Sequence, residues 1–419
     1  MRALVISDGE HYAPVVRDAL AALPYEVVGL WLAGGTEKLR GGEDYGVPVV
    51  DSLEGAIGEL EPEVVIDLSD EPVLGPRERM RLASRVLALG LPYAGPDFRF
   101  EPPTFAPFAL PSLSVVGTGK RVGKTAITGH VARLLALDRD VVVVAMGRGG
   151  PPEPEVTEVQ PTLESLLQLS RDGRHAASDY LETAALAGVV TIGCRRCGGG
   201  LAGTPGESNV LAGGALAAER EPELVIFDGS GAAIPPVETD ARVLVTSTRQ
   251  PRDVATGYLN AYRILVSDLV VVTGGLDEEL VEAIRELKEL PVVSVELRPR
   301  PAEPVIGRRV AFFTTAPQDA HEAIERHLRE ELGAEVVVVS GNLARREALR
   351  EDLARARDAE VYVVEIKAAA IDVVAEAAIE RGVEVVFADN ELVPVGVLDL
   401  DTELIRLADQ AIAREAVTS

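Results

Sequence analysis

Val115–Ala126 reads VVGTGKRVGKTA. Valines close a strand, a Gly-rich turn follows, and Lys124-Thr125 open a helix that runs on through TAITGHVARLLAL (125–137). Strand, Gly-rich turn and helix in that order form a phosphate cradle. The turn's backbone N–H groups wrap an anion, and the helix N-terminus adds its positive end. The strict pattern G-x-x-x-x-G-K-[ST] would begin with Gly where this chain has Thr118. Gly117 and Gly119 flank that position and are expected to supply the unusual backbone angles. The expected nucleotide-binding residues are Gly117, Thr118, Gly119, Lys120, Arg121, Val122, Gly123, Lys124, Thr125 and Ala126. Lys124 is expected on the β- and γ-phosphates of ATP, and the Thr125 hydroxyl on Mg²⁺. Lys120 reads either as a second phosphate contact or as a solvent-facing side chain.

The segments around this turn alternate strand and helix, which gives α/β architecture. A P-loop NTPase-type parallel sheet with helices on both faces is expected over 112–298. Its other strands are VVVVAM (141–146), ELVIFD (223–228), ARVLVTS (241–247), SDLVVVTG (267–274) and LPVVSVEL (290–297). Residues 1–98 form a smaller Rossmann-like α/β domain, and 99–111 a Phe- and Pro-rich linker. Residues 194–210 read as a Gly-rich loop and 299–305 as a Pro-rich junction. A C-terminal α/β unit follows over 306–419, either separate or continuing the middle sheet.

Composition narrows the partners. The 419 residues carry a formal net charge of -26, which repels nucleic acid and anionic lipid, so neither is expected. An anionic ligand has to be caught by a local cluster of cations. The lysines are Lys38, Lys120, Lys124, Lys288 and Lys367, so two of the five lie in the quoted turn. No apolar run is long enough for a membrane span, and the N-terminus has no signal-peptide pattern. With only two Cys, a reducing cytoplasm is the expected setting. Oligomer frequencies favour a homodimer.

LVIFDGSG (224–231) places Asp228 at a strand end, as a second Mg²⁺-shell oxygen beside Thr125. MGRGGPPEPEV (146–156) places Arg148 at another strand end as an anion clamp. Lys124, Asp228 and Arg148 are the expected catalytic set. GCRRCGGG (193–200) offers Arg195 and Arg196 for an anion; its Cys194 and Cys197 supply only half of a tetrahedral metal site. His11, in SDGEHYAP (7–14), reads as an acid/base group, a phosphate contact or a helix cap. Lys367, in VEIKAAAIDV (364–373), reads as a substrate cation or as an ion-pair partner of Glu365. FADNELVP (387–394) puts Asp389, Asn390 and Glu391 at a strand end.

The spacing from Gly117 to Thr125 resembles the variant P-loop of dethiobiotin synthetase. The Asp228-Gly229-x-Gly231 segment is similar to the acidic-Gly-x-Gly segment of dethiobiotin and cobyrinic acid amidation enzymes, with Asp where Glu is frequent. DGEHY, GTGKRVGKTA, MGRGGPPEPEV, GCRRCGGG and VEIKAAAIDVV, in that order across nearly the whole chain, resemble the cyclic 2,3-diphosphoglycerate synthetases. That resemblance implies closure of an intramolecular pyrophosphate in 2,3-diphosphoglycerate at the expense of ATP and Mg²⁺, releasing ADP and phosphate. His11, Arg148, Arg195, Arg196 and Lys367 would then hold the small phosphorylated metabolite. Two other functions fit the turn: a kinase or dethiobiotin-synthetase-like ligase on another small anion, or a nucleotide-switched ATPase with a protein partner. Switch ATPases usually carry a further Lys where this chain has Gly119.

Overall fold

The structure, a computed structural model, describes residues 1–418. The chain forms two compact units. One comprises Met1–Thr104, Pro251–Val266 and Glu282–Glu289; the other comprises Phe105–Gln250, Ser267–Val281 and the chain from Leu290 onward.

The first unit is built on β1 (Arg2–Ser7), β2 (Glu26–Leu32), β3 (Val49–Val50), β4 (Val64–Asp67), β5 (Tyr93–Ala94) and β6 (Arg99–Phe100). Among the described residues they form one sheet in the order β3-β2-β1-β4-β5-β6. All pairs are parallel except the last. β1 is buried beyond its first residue because neighbours lie on both edges and helices cover its faces. Strand order reverses direction between β1 and β4, so their C-terminal ends open a crevice. The helix Asn260–Leu265 packs on the helix Pro76–Ala88. Ser84 Oγ there lies 3.0 Å from the Tyr258 carbonyl oxygen.

The second unit holds β7 (Ser112–Gly117), β8 (Val141–Gly147), β9 (Glu155–Thr157), β10 (Val190–Cys197), β11 (Glu207–Ser208), β12 (Leu224–Asp228), β13 (Ala241–Ser247), β14 (Leu269–Thr273) and β15 (Val292–Pro301). It continues with β16 (Arg309–Phe313), β17 (Glu335–Ser340), β18 (Val361–Glu365) and β19 (Glu384–Val395). One sheet runs β11-β10-β8-β12-β7-β13-β14-β15-β19-β18-β16-β17, with β9 beside β10. β7, β8, β12, β13 and β14 are buried at every residue. Their near-continuous Val and Leu content is what a parallel strand covered on both faces requires. β19 pairs with β15 antiparallel and with β18 parallel, so residues 309–395 extend the same sheet. Phe108 meets Phe227 edge-on at 5.0 Å, and Phe105 lies under the Arg242 guanidinium, so Phe side chains pack down the segment before β7.

Several elements differ from the sequence reading: β6 lies in the expected linker, β11 in the expected Gly-rich loop, and three more have a clear physical reason. β10 occupies the start of the expected Gly-rich loop. Val190, Ile192 and Cys194 alternate into an apolar cluster with Val144, Met146 and Phe227, a period hidden by the Thr, Gly and Arg between them. β15 runs into the expected Pro-rich junction as far as Pro301. Beyond Val295 it pairs only with β19, so Pro299 and Pro301, two residues apart, can both face the unpaired edge. β19 continues past Asp389 to Val395, which puts Asp389, Asn390 and Glu391 mid-strand. Among the described residues, no helix is long and apolar enough to cross a membrane.

Candidate active site

The turn 118–123 hangs between two strand ends. Gly117 N–H donates to the Gly231 carbonyl at 3.1 Å, and Thr118 N–H to the Val245 carbonyl at 2.9 Å. Thr273 Oγ1 donates to the Val122 carbonyl at 2.9 Å, and the Val122 side chain is buried. The first-turn amides of the helix Lys124–Leu135 have no intrahelical acceptor and are available to an anion. Lys120 and Arg121 are exposed, Thr125 is half-buried and Ala126 is buried.

The left-handed residues of this turn are Arg121 (φ 61°) and Gly123 (φ 85°), not Gly117 and Gly119. Gly117 answers a different need: a Cβ there would lie 2.8 Å from the Gly231 carbonyl oxygen. Thr118 has ordinary backbone angles, so a side chain costs nothing at the place of the strict pattern's first glycine. It is buried, with its hydroxyl 3.0 Å from Thr246 Oγ1 and 2.5 Å from Gln250 Oε1.

Lys124 Nζ donates to Asp228 Oδ1 at 2.5 Å, and Thr128 Oγ1 donates to the same oxygen at 2.6 Å. Asp228 is fully buried, and burial pushes its carboxyl above the usual carboxylate range against the pull of Lys124. Among the described residues its Oδ2 has no hydrogen-bond partner. An orphaned carboxylate oxygen at a strand end, with the Thr125 hydroxyl at the start of the neighbouring helix, is a donor set of the type that Mg²⁺ takes. Thr128 was not singled out from the sequence, although its i+4 spacing from Lys124 puts both on one helix face.

Arg196 reaches back over this site. Its Nη2 donates to the Ser230 carbonyl at 2.8 Å, its Nη1 donates to the Gly198 carbonyl, and its Nε is buried without a partner among the described residues. A Cβ on Gly231 would lie 4.0 Å from Arg196 Nη2 and 3.8 Å from Lys120 Cγ, so guanidinium and turn share one corner. Burial, and then the Arg148 charge, hold the Arg196 guanidinium below its ordinary range. Arg148 is exposed at the end of β8. Two repelling guanidiniums near a lysine form an environment that an anion relieves. Arg195 departs from the expectation that both arginines serve one anion. Successive strand residues point to opposite faces, so Arg195 is turned away from Arg196; it is exposed, and its N–H donates to Asn209 Oδ1 at 2.7 Å. The metal reading of the Cys pair fails on the same geometry. Cys194 is buried among apolar side chains with its thiol pushed up to about 12, while Cys197 is exposed. No group of three or more His, Cys, Asp or Glu that could hold a metal occurs among the described residues.

The two remaining candidates lie in other settings. In the first unit, Asp8 Oδ1 sits 2.7 Å from His11 Nδ1 and accepts the N–H groups of Glu10 and His11; Asp8 Oδ2 accepts Asp70 N–H at 2.9 Å. Among the described residues the other ring nitrogen of His11 has no hydrogen-bond partner, which leaves it to a ligand or water. Lys367 is not a bare cation at a strand end. Its Nζ lies 3.4 Å from Glu182 Oε1 and 3.8 Å from Glu365 Oε2, so the ion pair already read with Glu365 acquires a second, buried carboxylate.

Family models match the chain in three consecutive parts. They are described as the N-terminal domain (2–101), the P-loop domain (112–299) and the C-terminal domain (301–391) of cyclic 2,3-diphosphoglycerate synthetase. The protein of that name from Rubrobacter xylanophilus is 49% identical, over 98% of both chains. The one from Thermococcus kodakarensis is 43% identical, over 99% of this chain and 100% of its own, and the one from Methanothermus fervidus 37%, over 98% and 97%. Among solved structures, LpxK from Aquifex aeolicus in complex with ATP superposes with a TM-score of 0.43 at 14% identity, over 74% of this chain and 90% of its own. The chain belongs to the cyclic 2,3-diphosphoglycerate synthetase family.

Proposed function

We propose that the chain is an ATP-dependent synthetase that closes 2,3-diphosphoglycerate to its cyclic pyrophosphate, yielding ADP and phosphate. The observation that supports it most is the cation cluster on an otherwise acidic molecule: Lys120, Lys124 and Arg196 around the phosphate turn and the first-turn amides of the helix that follows it, with Arg148 nearby. In this reading Lys124 leaves Asp228 for the β- and γ-phosphates when the nucleotide binds. Asp228 and Thr125 hold the Mg²⁺ shell, and Mg²⁺ when bound neutralises developing phosphate charge. Arg148 and Arg196 orient the acid so that one of its phosphates receives the γ-phosphoryl group. The acid's other phosphate then attacks the phosphorus by which that chain is attached, and inorganic phosphate leaves as the ring closes. The protein's part is alignment and charge neutralisation, with no covalent step on a side chain.

The reading extends to 1–98, 112–298 and 306–419 as working domains, a homodimer and a cytoplasmic setting; sedimentation of the purified chain checks the dimer. Phosphorus NMR of a reaction containing Mg·ATP and 2,3-diphosphoglycerate is the direct test. A ring-closed pyrophosphate signal that grows with ADP is expected. A linear phosphoester or an unchanged acid would overturn the assignment, and Lys124→Ala should abolish the signal.

A further inference from the structure

Gln250 follows β13 and reaches back to the phosphate turn. Its Oε1 lies 2.5 Å from Thr118 Oγ1 and 3.2 Å from Thr246 Oγ1. With both hydroxyls donating, the carboxamide oxygen is held at two points and the plane of the group is set. Nε2 is thereby turned toward Gly119, 2.8 Å from where a Cβ on that residue would sit. The side chain is half-buried, and among the described residues nothing accepts from its two N–H groups. Gly119 therefore leaves room for an amide donor delivered from a neighbouring strand. A Lys at 119, as in nucleotide-switched ATPases, would compete for that space.

We infer that Gln250 contacts the terminal phosphate of a nucleotide seated on residues 117–125, with Nε2 donating, and that Thr118 is the positioning residue that aims it. The inference rests on the nucleotide reading of that turn. The site already concentrates cations, and another would add like-charge repulsion. A neutral amide supplies direction without charge, and its preset plane avoids reorganisation as the phosphoryl group moves. The γ-phosphorus loses its bond to the oxygen bridging it to ADP and gains one to an oxygen of the acid. The amide donates throughout, and no proton passes to or from it. Thr118 thus has a use that glycine could not serve.

The test compares turnover with ADP binding in the full-length chain, because ADP lacks the phosphate in question. Gln250→Ala should lower kcat about tenfold or more, the scale of one hydrogen bond to a charged group, while the Kd for ADP stays within about twofold. Gln250→Glu keeps the shape but puts a carboxylate beside phosphate, and should lose at least as much. Thr118→Val should lower kcat in the same direction, and Thr118→Ser should restore it to within about threefold of the parent, since only the hydroxyl is needed. Parental turnover in both Gln250 variants would overturn the inference, as would ADP affinity that falls in step with kcat. Undiminished ADP binding by Lys124→Ala is a separate outcome that would sink the nucleotide reading itself.

Discussion

Lys124 and Asp228 hold each other at 2.5 Å in a place where neither charge reaches bulk water. Removing either partner is not equivalent. Lys124→Met leaves a carboxyl that burial already pushes toward its neutral form, so activity should vanish while stability falls modestly. Asp228→Ala strands a buried ammonium and should cost about 3 kcal/mol or more, read from urea unfolding. The two adjacent arginines make a sharper contrast. Arg196→Ala should raise the KM for the acid about tenfold or more, whereas Arg195→Ala should stay within about twofold, because the strand turns only one of them to the site. Nothing in the residue types of the pair separates them; the pleat of β10 does.

At the level of elements, the site depends on close backbone approach at strand ends. The loop after β8 lies so near β10 that a Cβ on Gly150 would fall 2.0 Å from the Cys194 carbonyl oxygen. A backbone atom in a paired strand cannot step aside. Gly150→Ala should therefore lower stability by about 1–3 kcal/mol and displace Arg148, raising the KM for the acid. Gly149→Ala would first meet the His175 ring, at 3.3 Å, and should be milder in thermal unfolding. The strand–turn–helix of residues 112–135 was legible because its pattern is contiguous. β10 was not, since half of its residues are polar or glycine and their burial comes from neighbouring elements.

Across the second unit, buried charges tie the helix bearing Lys124 to the C-terminal strands. Arg133, near the end of that helix, pairs with Asp389 of β19, and Arg300 of β15 lies 3.5 Å from the same carboxylate. Next to them Lys367 bridges Glu182 and Glu365. Burial raises the Glu182 carboxyl to about 8; Lys367 opposes the shift, while Asp179, Glu365 and Asp389 add to it. Folded Glu182 thus keeps a proton between 4.5 and about 8 that the unfolded chain has released, so stability should fall as pH rises through that window. Burial pulls the Lys367 ammonium down, but Glu182, Glu365 and Asp389 outweigh it; Lys367 stays charged there, and its contribution is lost only above 10.5. Unfolding free energies from urea titrations across the window should decline by up to a few kcal/mol more in the parent than in Glu182→Gln.

From the sequence alone come the phosphate turn, the buried parallel strands on either side of it, and the need for local cations on a molecule of net charge -26. Each of these is a property of contiguous residues or of composition. Which charges meet is another matter. Lys124 finds Asp228 across 104 positions, Gln250 comes back 132 positions to Thr118, and Lys367 settles on Glu182 of the helix Asp179–Ala187. Strand order and register decide those meetings, because the side chains involved carry no local signal of the neighbour that will satisfy them once water is excluded.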